Sequence, residues 1–282
     1  MDYQKINLDD YVQTGEGGTA LTYSKKDGRT LVKLFMPGFG AQTAEREFLV
    51  NLVVFRSGLP TPEPIRLVTD GTRYGAEYEL IANKRSFTRI ISEEPEQLEP
   101  LSVRFARLAR ELHRTPADTR QLPDMRELVR ANITRYEKLP QPVKERLLSV
   151  LDTLPSSATS LHGDLHIGNI ITDGTRDLWI DVGDFAYGCP EWDLCMMYYA
   201  EHFMSEERAQ SIFHLDMNTL KAHWDFFARA YWNTESAEEI AAHERTFAPF
   251  IALKLTALVS KIHDGKGAVS EPLLNMIDRL LG

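Results

Sequence analysis

The sequence predicts an α+β chain in two parts, a small β-rich N-terminal lobe over residues 1–81 and a larger helical lobe over residues 82–282. Three observations predict it. Short apolar-alternating runs joined by Asp-Gly pairs fill most of the first part. Beyond residue 82 the apolar residues recur at helical spacing instead. A further Asp-Gly pair, Asp173-Gly174, interrupts the helical part between two clusters of polar residues.

Residues 19–24 and 30–35 are predicted to pair across Asp27-Gly28, because Asp and Gly tolerate the positive φ that tight hairpins need. A helix follows over residues 42–56. Phe48, Leu49, Leu52, Val53 and Phe55 form its apolar stripe and Gly58 ends it. Pro60, Pro62 and Pro64 then exclude helix. Strands over 65–69 and 74–81, around Asp70-Gly71, complete a small sheet. In the second part Leu98, Leu101, Phe105, Leu108 and Leu112 mark one face of a helix that ends near His113. Helices are expected over 125–138 and 141–151, then the central hairpin as the only sheet of this part. Helices resume from Asp193 to the end of the sequence, with breaks near Ser205, 233–236 and 265–267.

With 282 residues and 43% hydrophobic content the chain can bury a sizeable core. Its formal charge of −9 argues against sequence-independent nucleic-acid binding, which depends on clustered Lys and Arg. The N-terminal residues are not followed by a long apolar segment, so neither a secretory signal nor a membrane span is expected, and the predicted location is cytoplasmic. Cys189 and Cys195 cannot build a four-ligand zinc site and read as buried small hydrophobes. No Gly-x-Ser-x-Gly elbow is present, which leaves serine hydrolysis without support.

The chemistry concentrates in Leu161-His162-Gly163-Asp164-Leu165-His166-Ile167-Gly168-Asn169-Ile170-Ile171, answered by Ile180-Asp181-Val182-Gly183-Asp184-Phe185. Asp164 and Asn169 lie five residues apart, and Asp181 returns after the hairpin. Any one of these residues alone is as well explained by turn formation or capping. Together they follow the order of a base Asp, an amide ligand and a second Asp used in kinase-type phosphoryl transfer. His162 and His166 bracket Asp164, but neither a further His nor a further Cys stands at a zinc-ligand spacing, so a structural role fits them better.

His-Gly-Asp-Leu-His-x-Gly-Asn followed by Ile-Asp-x-Gly-Asp, behind a β-rich part with a Gly-rich loop and a Lys, resembles the aminoglycoside phosphotransferase and choline kinase-like family. The resemblance implies a two-lobed protein-kinase-like fold and an Mg2+-dependent enzyme. Such an enzyme would move the γ-phosphate of ATP or GTP to a hydroxyl of a small molecule, an amino sugar or amino alcohol among the options. Asp164 then resembles the catalytic base, and Asn169 and Asp181 the magnesium ligands. Gly15, Gly17 and Gly18 look like the phosphate-covering loop, although Ala20 replaces the third glycine of the kinase pattern. Lys33 resembles the phosphate-binding lysine and Glu47 its partner, with Glu45 as the alternative half a helical turn away. Glu79 and Ile81 fall where backbone groups would hold the nucleotide base, which leaves ATP against GTP open. Asp184 is either a further acidic site residue or a turn former. Asp193 resembles the aspartate that ties the next helix to the catalytic loop, and it also stands where a helix cap is wanted.

Two departures from protein kinases favour a small acceptor. Gly163 replaces the Arg of His-Arg-Asp, and Cys189-Pro190-Glu191 follows Asp181 too closely to leave an activation loop. The aromatic run from His223 to Trp232 reads as core or as a pocket for a cationic acceptor. Glu235, Glu238 and Glu239 read as its complement or as caps of the next helix. The competing reading is a catalytically silent nucleotide-binding module, which retention of Lys33, Glu47, Asp164, Asn169 and Asp181 disfavours.

Overall fold

The computed structural model describes residues 2–17 and 19–282, and Gly18 of the predicted glycine loop lies outside them. The chain is a mixed α+β fold that divides into two compact units. One is formed by the residues up to Phe87 together with Gly168–Phe185, the other by Thr88–Ile167 with Ala186–Gly282.

In the first unit the strands are β1 (Gln4–Lys5), β2 (Tyr11–Glu16), β3 (Ala20–Lys25) and β4 (Thr30–Phe35). Helix α1 (Ala41–Arg56) follows, then β5 (Pro64–Thr69), β6 (Tyr74–Glu79) and β7 (Arg85–Ser86). Six of these strands form one sheet in the order β1-β5-β6-β4-β3-β2. It is antiparallel except between β1 and β5. Alternation along β4 decides where Lys33 goes. Val32 and Leu34 are fully buried against Tyr11, Tyr23 and Val68 on one face, and Phe35 packs with Ala44 and Phe48 of α1 on the other. Lys33 shares the face of Phe35, as the two-residue repeat of a strand requires.

The inward face of α1 is shifted from the predicted one. Phe48 and Val53 are buried and Leu52 packs on the core as predicted, but Leu49 and Phe55 are exposed, and Ala44, Val50, Asn51 and Val54 are buried as well. An apolar side chain does not have to be inside, so composition alone could not set the phase of so apolar a helix.

Two hairpins of this unit share a five-residue turn, Thr-Asp-Gly-Thr-Arg, at residues 69–73 and 172–176. In each, the aspartate Oδ1 accepts from the main-chain N–H groups two and three residues further on. The distances are 2.9 and 2.7 Å for Asp70 with Thr72 and Arg73, and 2.8 Å for both Thr175 and Arg176 with Asp173. Gly71 (φ +100°) and Gly174 (φ +93°) supply the left-handed residue. The second turn joins β9 (Ile170–Thr172) to β10 (Asp177–Trp179), which with β7 make a three-stranded sheet in the order β10-β9-β7. Ile81, Ile171 and Leu178 form its core.

In the second unit the helices are α2 (Phe87–Glu93), α3 (Leu98–Leu112), α4 (Met125–Arg135) and α5 (Gln141–Thr153), followed by β8 (Thr159–Leu161). After β11 (Ala186–Gly188) come α6 (Glu191–Phe203), α7 (Glu206–Phe213) and α8 (Met217–Trp232). The chain ends with α9 (Ala237–Arg245), α10 (Phe247–Ile262) and α11 (Glu271–Leu281). Helix α3 buries Leu101, Phe105 and Leu112, and the Phe105 ring meets His223 and Phe227 of α8. At the predicted breaks Ser205 and Ser236 each accept a first-turn N–H and Asn233 closes α8 in the left-handed conformation, while Ser270 caps α11 just beyond 265–267. A further break, not predicted, falls before Asp216, which caps α8. The expectation of a single sheet in the helical part is corrected. Strands β8 and β11 form a separate two-stranded ribbon, each only three residues long and too short to stand out by pattern.

Candidate active site

In the first unit Lys33, Glu47 and Asp181 meet on one cavity. The Lys33 ammonium lies 2.9 Å from Glu47 Oε1 and 3.1 Å from Asp181 Oδ1. Burial pulls the ammonium's pKa down, but the charges of Asp181 and Glu47 more than offset this and hold it above the ordinary lysine value. Helix phase separates the two glutamates. Glu47 faces Lys33, while Glu45 lies beside the Tyr3 hydroxyl, whose pKa burial and the Glu45 charge push up to about 12. The same cavity is lined by the apolar Leu31, Ile81, Ile171 and Ile180 and by the polar Thr61, Glu79 and Lys84.

Several close approaches hold this arrangement and gave no sequence signal. A Cβ on Gly75 would stand 1.9 Å from the carbonyl oxygen of Lys33, so only glycine lets β6 lie this close to β4. A Cβ on Gly183 would stand 3.0–3.1 Å from the Glu47 carboxylate. Asn51, buried on α1, donates from its amide to Glu47 O at 2.8 Å and also lines the cavity.

Of the predicted glycines, Gly15 and Gly17 sit at the β2–β3 end. A Cβ on Gly15 would press on the Thr22 hydroxyl at 2.5 Å, and Gly17 N donates to Ala20 O at 2.9 Å. Thr22 is the cross-strand partner of Lys33. The Glu79 side chain is engaged elsewhere, with Arg176 of the β9–β10 turn at 3.1 Å and Glu63 N at 3.4 Å. The Glu79 N–H is engaged as well, donating to Glu63 O at 2.9 Å, so of its main chain only the carbonyl oxygen is a candidate to meet a ligand.

Asp181 follows β10 in the left-handed conformation (φ 54°, ψ 41°), which is uncommon outside glycine. Asn169 precedes β9, and Ile180 N donates to its carbonyl oxygen at 3.0 Å, which places Asn169 across the ladder from the residue before Asp181. The amide of one and the carboxylate of the other are hard oxygen donors of the kind Mg2+ takes. Asp184, in the 3-10 turn Val182–Asp184, has Arg46 at 3.9 Å.

The second unit carries Asp164. Its side chain is 66% exposed, with His166 Nε2 at 3.8 Å. Its loop is fixed from beneath by Asp193, which is fully buried. One Asp193 oxygen accepts from His162 N at 2.7 Å and the other from Gly163 N at 2.9 Å. His113 Nε2 lies 3.2 Å from the same carboxylate, and its Nδ1 is 2.7 Å from the Tyr231 hydroxyl. Burial pushes the Asp193 carboxyl up, but the bond and charge of His113, with the charges of Lys254 and His162, hold it below its ordinary value. The expected cap role is corrected. Asp193 sits inside the first turn of α6, whose cap position is Pro190, and spends its oxygens on the loop instead. Gly163 has φ +84°, which explains a glycine before Asp164.

His162 is fully buried, and among the described residues three or more His, Cys, Asp and Glu side chains nowhere gather to hold a metal ion. Trp224 and Phe227 are core, Tyr231 is held by His113, and the Trp232 ring stacks on His243 at 4.5 Å. Glu238 and Glu239 are not the caps of α9, a place Ser236 takes, but occupy its first turn, where acids complement the helix dipole. Cys189 and Cys195 are buried free thiols. Among the described residues no helix is long and apolar enough to cross a membrane.

Solved structures share this fold. An aminoglycoside phosphotransferase, APH(4)-Ia, in a thermostable mutant form complexed with ADP and hygromycin B, is 15% identical with a TM-score of 0.61. That match spans 96% of this chain and 93% of that one. An ethanolamine kinase from Plasmodium vivax is 15% identical with a TM-score of 0.61, spanning 97% and 82%. A choline/ethanolamine kinase family protein from Mesorhizobium loti is 15% identical with a TM-score of 0.56, spanning 96% and 85%. The fold is thus the protein-kinase-like one of small-molecule kinases. No protein of curated function matches the chain. The chain belongs to the phosphotransferase enzyme family (APH), whose pattern it matches over residues 11–229.

Proposed function

We propose that this phosphotransferase moves the γ-phosphoryl group of ATP or GTP to a hydroxyl of a small, amine-bearing molecule such as an amino sugar or amino alcohol. The observation that carries the reading is Lys33 held between Glu47 and Asp181 in a cavity that also has a set of apolar walls. The apolar walls suit a purine, with the Glu79 carbonyl and the Ile81 main chain as its hydrogen-bonding groups, and Lys33 suits the phosphates. In the transfer the acceptor oxygen bonds to the γ-phosphorus, the bond to the β–γ bridging oxygen breaks, and the nucleoside diphosphate leaves. Asp164 takes the hydroxyl proton. Positioning such a carboxylate typically contributes about 10²–10⁴-fold in rate. Glu47 keeps the Lys33 ammonium aimed, and the glycines of the loop, Gly15, Gly17 and Gly18 in sequence, lack the side chains that would obstruct a close approach to phosphate oxygens. Asn169 and Asp181 would hold Mg2+, which when bound neutralises charge on the phosphate oxygens.

The amine-bearing acceptor is supported by the net charge of −9 and by the likeness to a hygromycin B complex and an ethanolamine kinase. Nucleotide consumption measured over a panel of aminoglycosides, amino alcohols and sugars tests it. Turnover should rise with one class of amine-bearing acceptor. Asp164→Ala should remove that turnover while the nucleotide still raises the melting temperature. Turnover like that of the unaltered protein in Asp164→Ala would dismiss Asp164 as the base.

A further inference from the structure

The Lys254 side chain reaches from α10 to the loop that carries Asp164. Its ammonium donates to Gly163 O at 2.9 Å and to Trp192 O at 3.0 Å, from 91 and 62 residues away in sequence. Lys254 lies beyond the residues 11–229 that match the family pattern. We infer that Lys254 is a positioning residue for phosphoryl transfer, which locks the peptide between Gly163 and Asp164 and so aims the Asp164 carboxylate. The inference rests on the reading of Asp164 as the base.

The geometry makes a lock necessary at this point. A peptide group is planar, so the direction of the Gly163 carbonyl also sets the direction of the Asp164 N–H, and with it the path of the Asp164 side chain. Gly163 at φ +84° is the residue with the least resistance to rotation about its own bonds. Asp193 secures the peptide before it, through Gly163 N at 2.9 Å, but that bond does not stop the next peptide from flipping. A cation on the carbonyl does, because a flip would turn the oxygen away and bring an N–H towards the ammonium. The second bond, to Trp192 O, fixes the ammonium to the start of α6, the same turn that supplies Asp193. Residues flanking Lys254 on α10, among them Ile251, Ala252, Leu253 and Thr256, are buried. Packing alone would favour an apolar side chain there, so an ammonium calls for a task that an apolar group could not perform.

The test uses the full chain with Mg2+ and ATP, water serving as the acceptor, under single-turnover conditions with enzyme in excess. Lys254→Met should hydrolyse ATP about 10–100-fold more slowly, the scale on which misplacing a catalytic group acts. Its ATP concentration dependence should stay within about threefold, and the ATP-induced rise in melting temperature should be retained. Lys254→Arg, which keeps a cationic donor, should recover much of the rate. A rate for Lys254→Met within about twofold of the unaltered protein overturns the inference. So does a loss matched by loss of the thermal response to ATP, and so does a folded Lys254→Arg no faster than Lys254→Met. If Lys254→Met does not fold, Lys254→Gln is judged by the same criteria. Asp164→Ala separates the two ideas. Normal hydrolysis in Asp164→Ala sinks the base assignment and the inference with it, whereas an inactive Asp164→Ala beside a normal Lys254→Met sinks the inference alone. The pair Asp164→Ala and Lys254→Met combined should be no slower than Asp164→Ala, and a further additive loss would show that Lys254 acts by some other route.

Discussion

Asp193 and Asp181 are twelve residues apart in one stretch of sequence, yet the two carboxylates live in opposite surroundings. Asp193 is buried on α6, and its oxygens are saturated by His162 N, Gly163 N and His113. Asp181 has a side chain 59% exposed, sits on a left-handed backbone, and touches the Lys33 ammonium. A carboxylate wrapped in main-chain N–H groups holds a loop in place and has little left for a ligand. An exposed carboxylate on a strained residue does the reverse, and such strain persists where the surrounding structure over-determines it.

Altering Asp181 sharpens the contrast most. Asp181→Gly removes an oxygen donor and relieves the left-handed strain together, so transfer should fall by about 10²–10³-fold. The unfolding free energy should change by less than about 1 kcal/mol, since strain relief offsets the lost ion pair. Acceptor phosphorylation and a urea melt on the same sample check both halves. Asp193→Ala should show the opposite balance. Stripping a buried carboxylate from its partners costs about 3–5 kcal/mol, read as a lower urea midpoint, and activity should fall only as the folded population does or as the loop loosens. Asp70 gives the smallest effect and probes saturation at a turn. Its carboxyl is held at about 2 because the main-chain and side-chain bonds from Arg73 and Thr72 outweigh its burial. A depressed carboxyl pKa adds stability above the unfolded value, here near 4, and that stability is lost as the pH falls through the folded value. Asp70→Ala should therefore be less stable by about 1 kcal/mol at neutral pH, with the gap closing between about pH 4 and pH 2. A gap that stays constant over that range would show that the carboxylate bonds contribute nothing.

What could be read from the sequence was what is encoded locally. The Asp-Gly turns were legible because the aspartate, the glycine and the N–H groups they serve lie within four residues, and the same pentapeptide produces the same bonds twice. Lys33 could be placed on a strand, and the polar motif could be grouped, by the same short-range logic. The choice between Glu45 and Glu47 was not local. It depends on the rotation of α1, which is set by Ala44 and Phe48 packing on the sheet. Leu49 and Phe55 misled because an exposed apolar side chain on a helix costs little. Gly75 and Gly183 looked like ordinary glycines, since what they avoid is a carbonyl and a carboxylate brought in by other elements. Lys254 left no trace at all, because its partners Gly163 and Trp192 are joined to it only by the finished fold.

The first compact unit is assembled from two stretches of chain, the residues up to Phe87 and Gly168–Phe185, with a long excursion between them. A ribosome releases the early strands first, but the hairpin that covers Ile81 emerges only after about a hundred further residues, some five to twenty seconds later at ordinary synthesis speeds. During that interval the nascent sheet waits with an uncovered apolar edge, so a chaperone that shelters it, or a synthesis rate that shortens the wait, would govern how much protein a cell recovers.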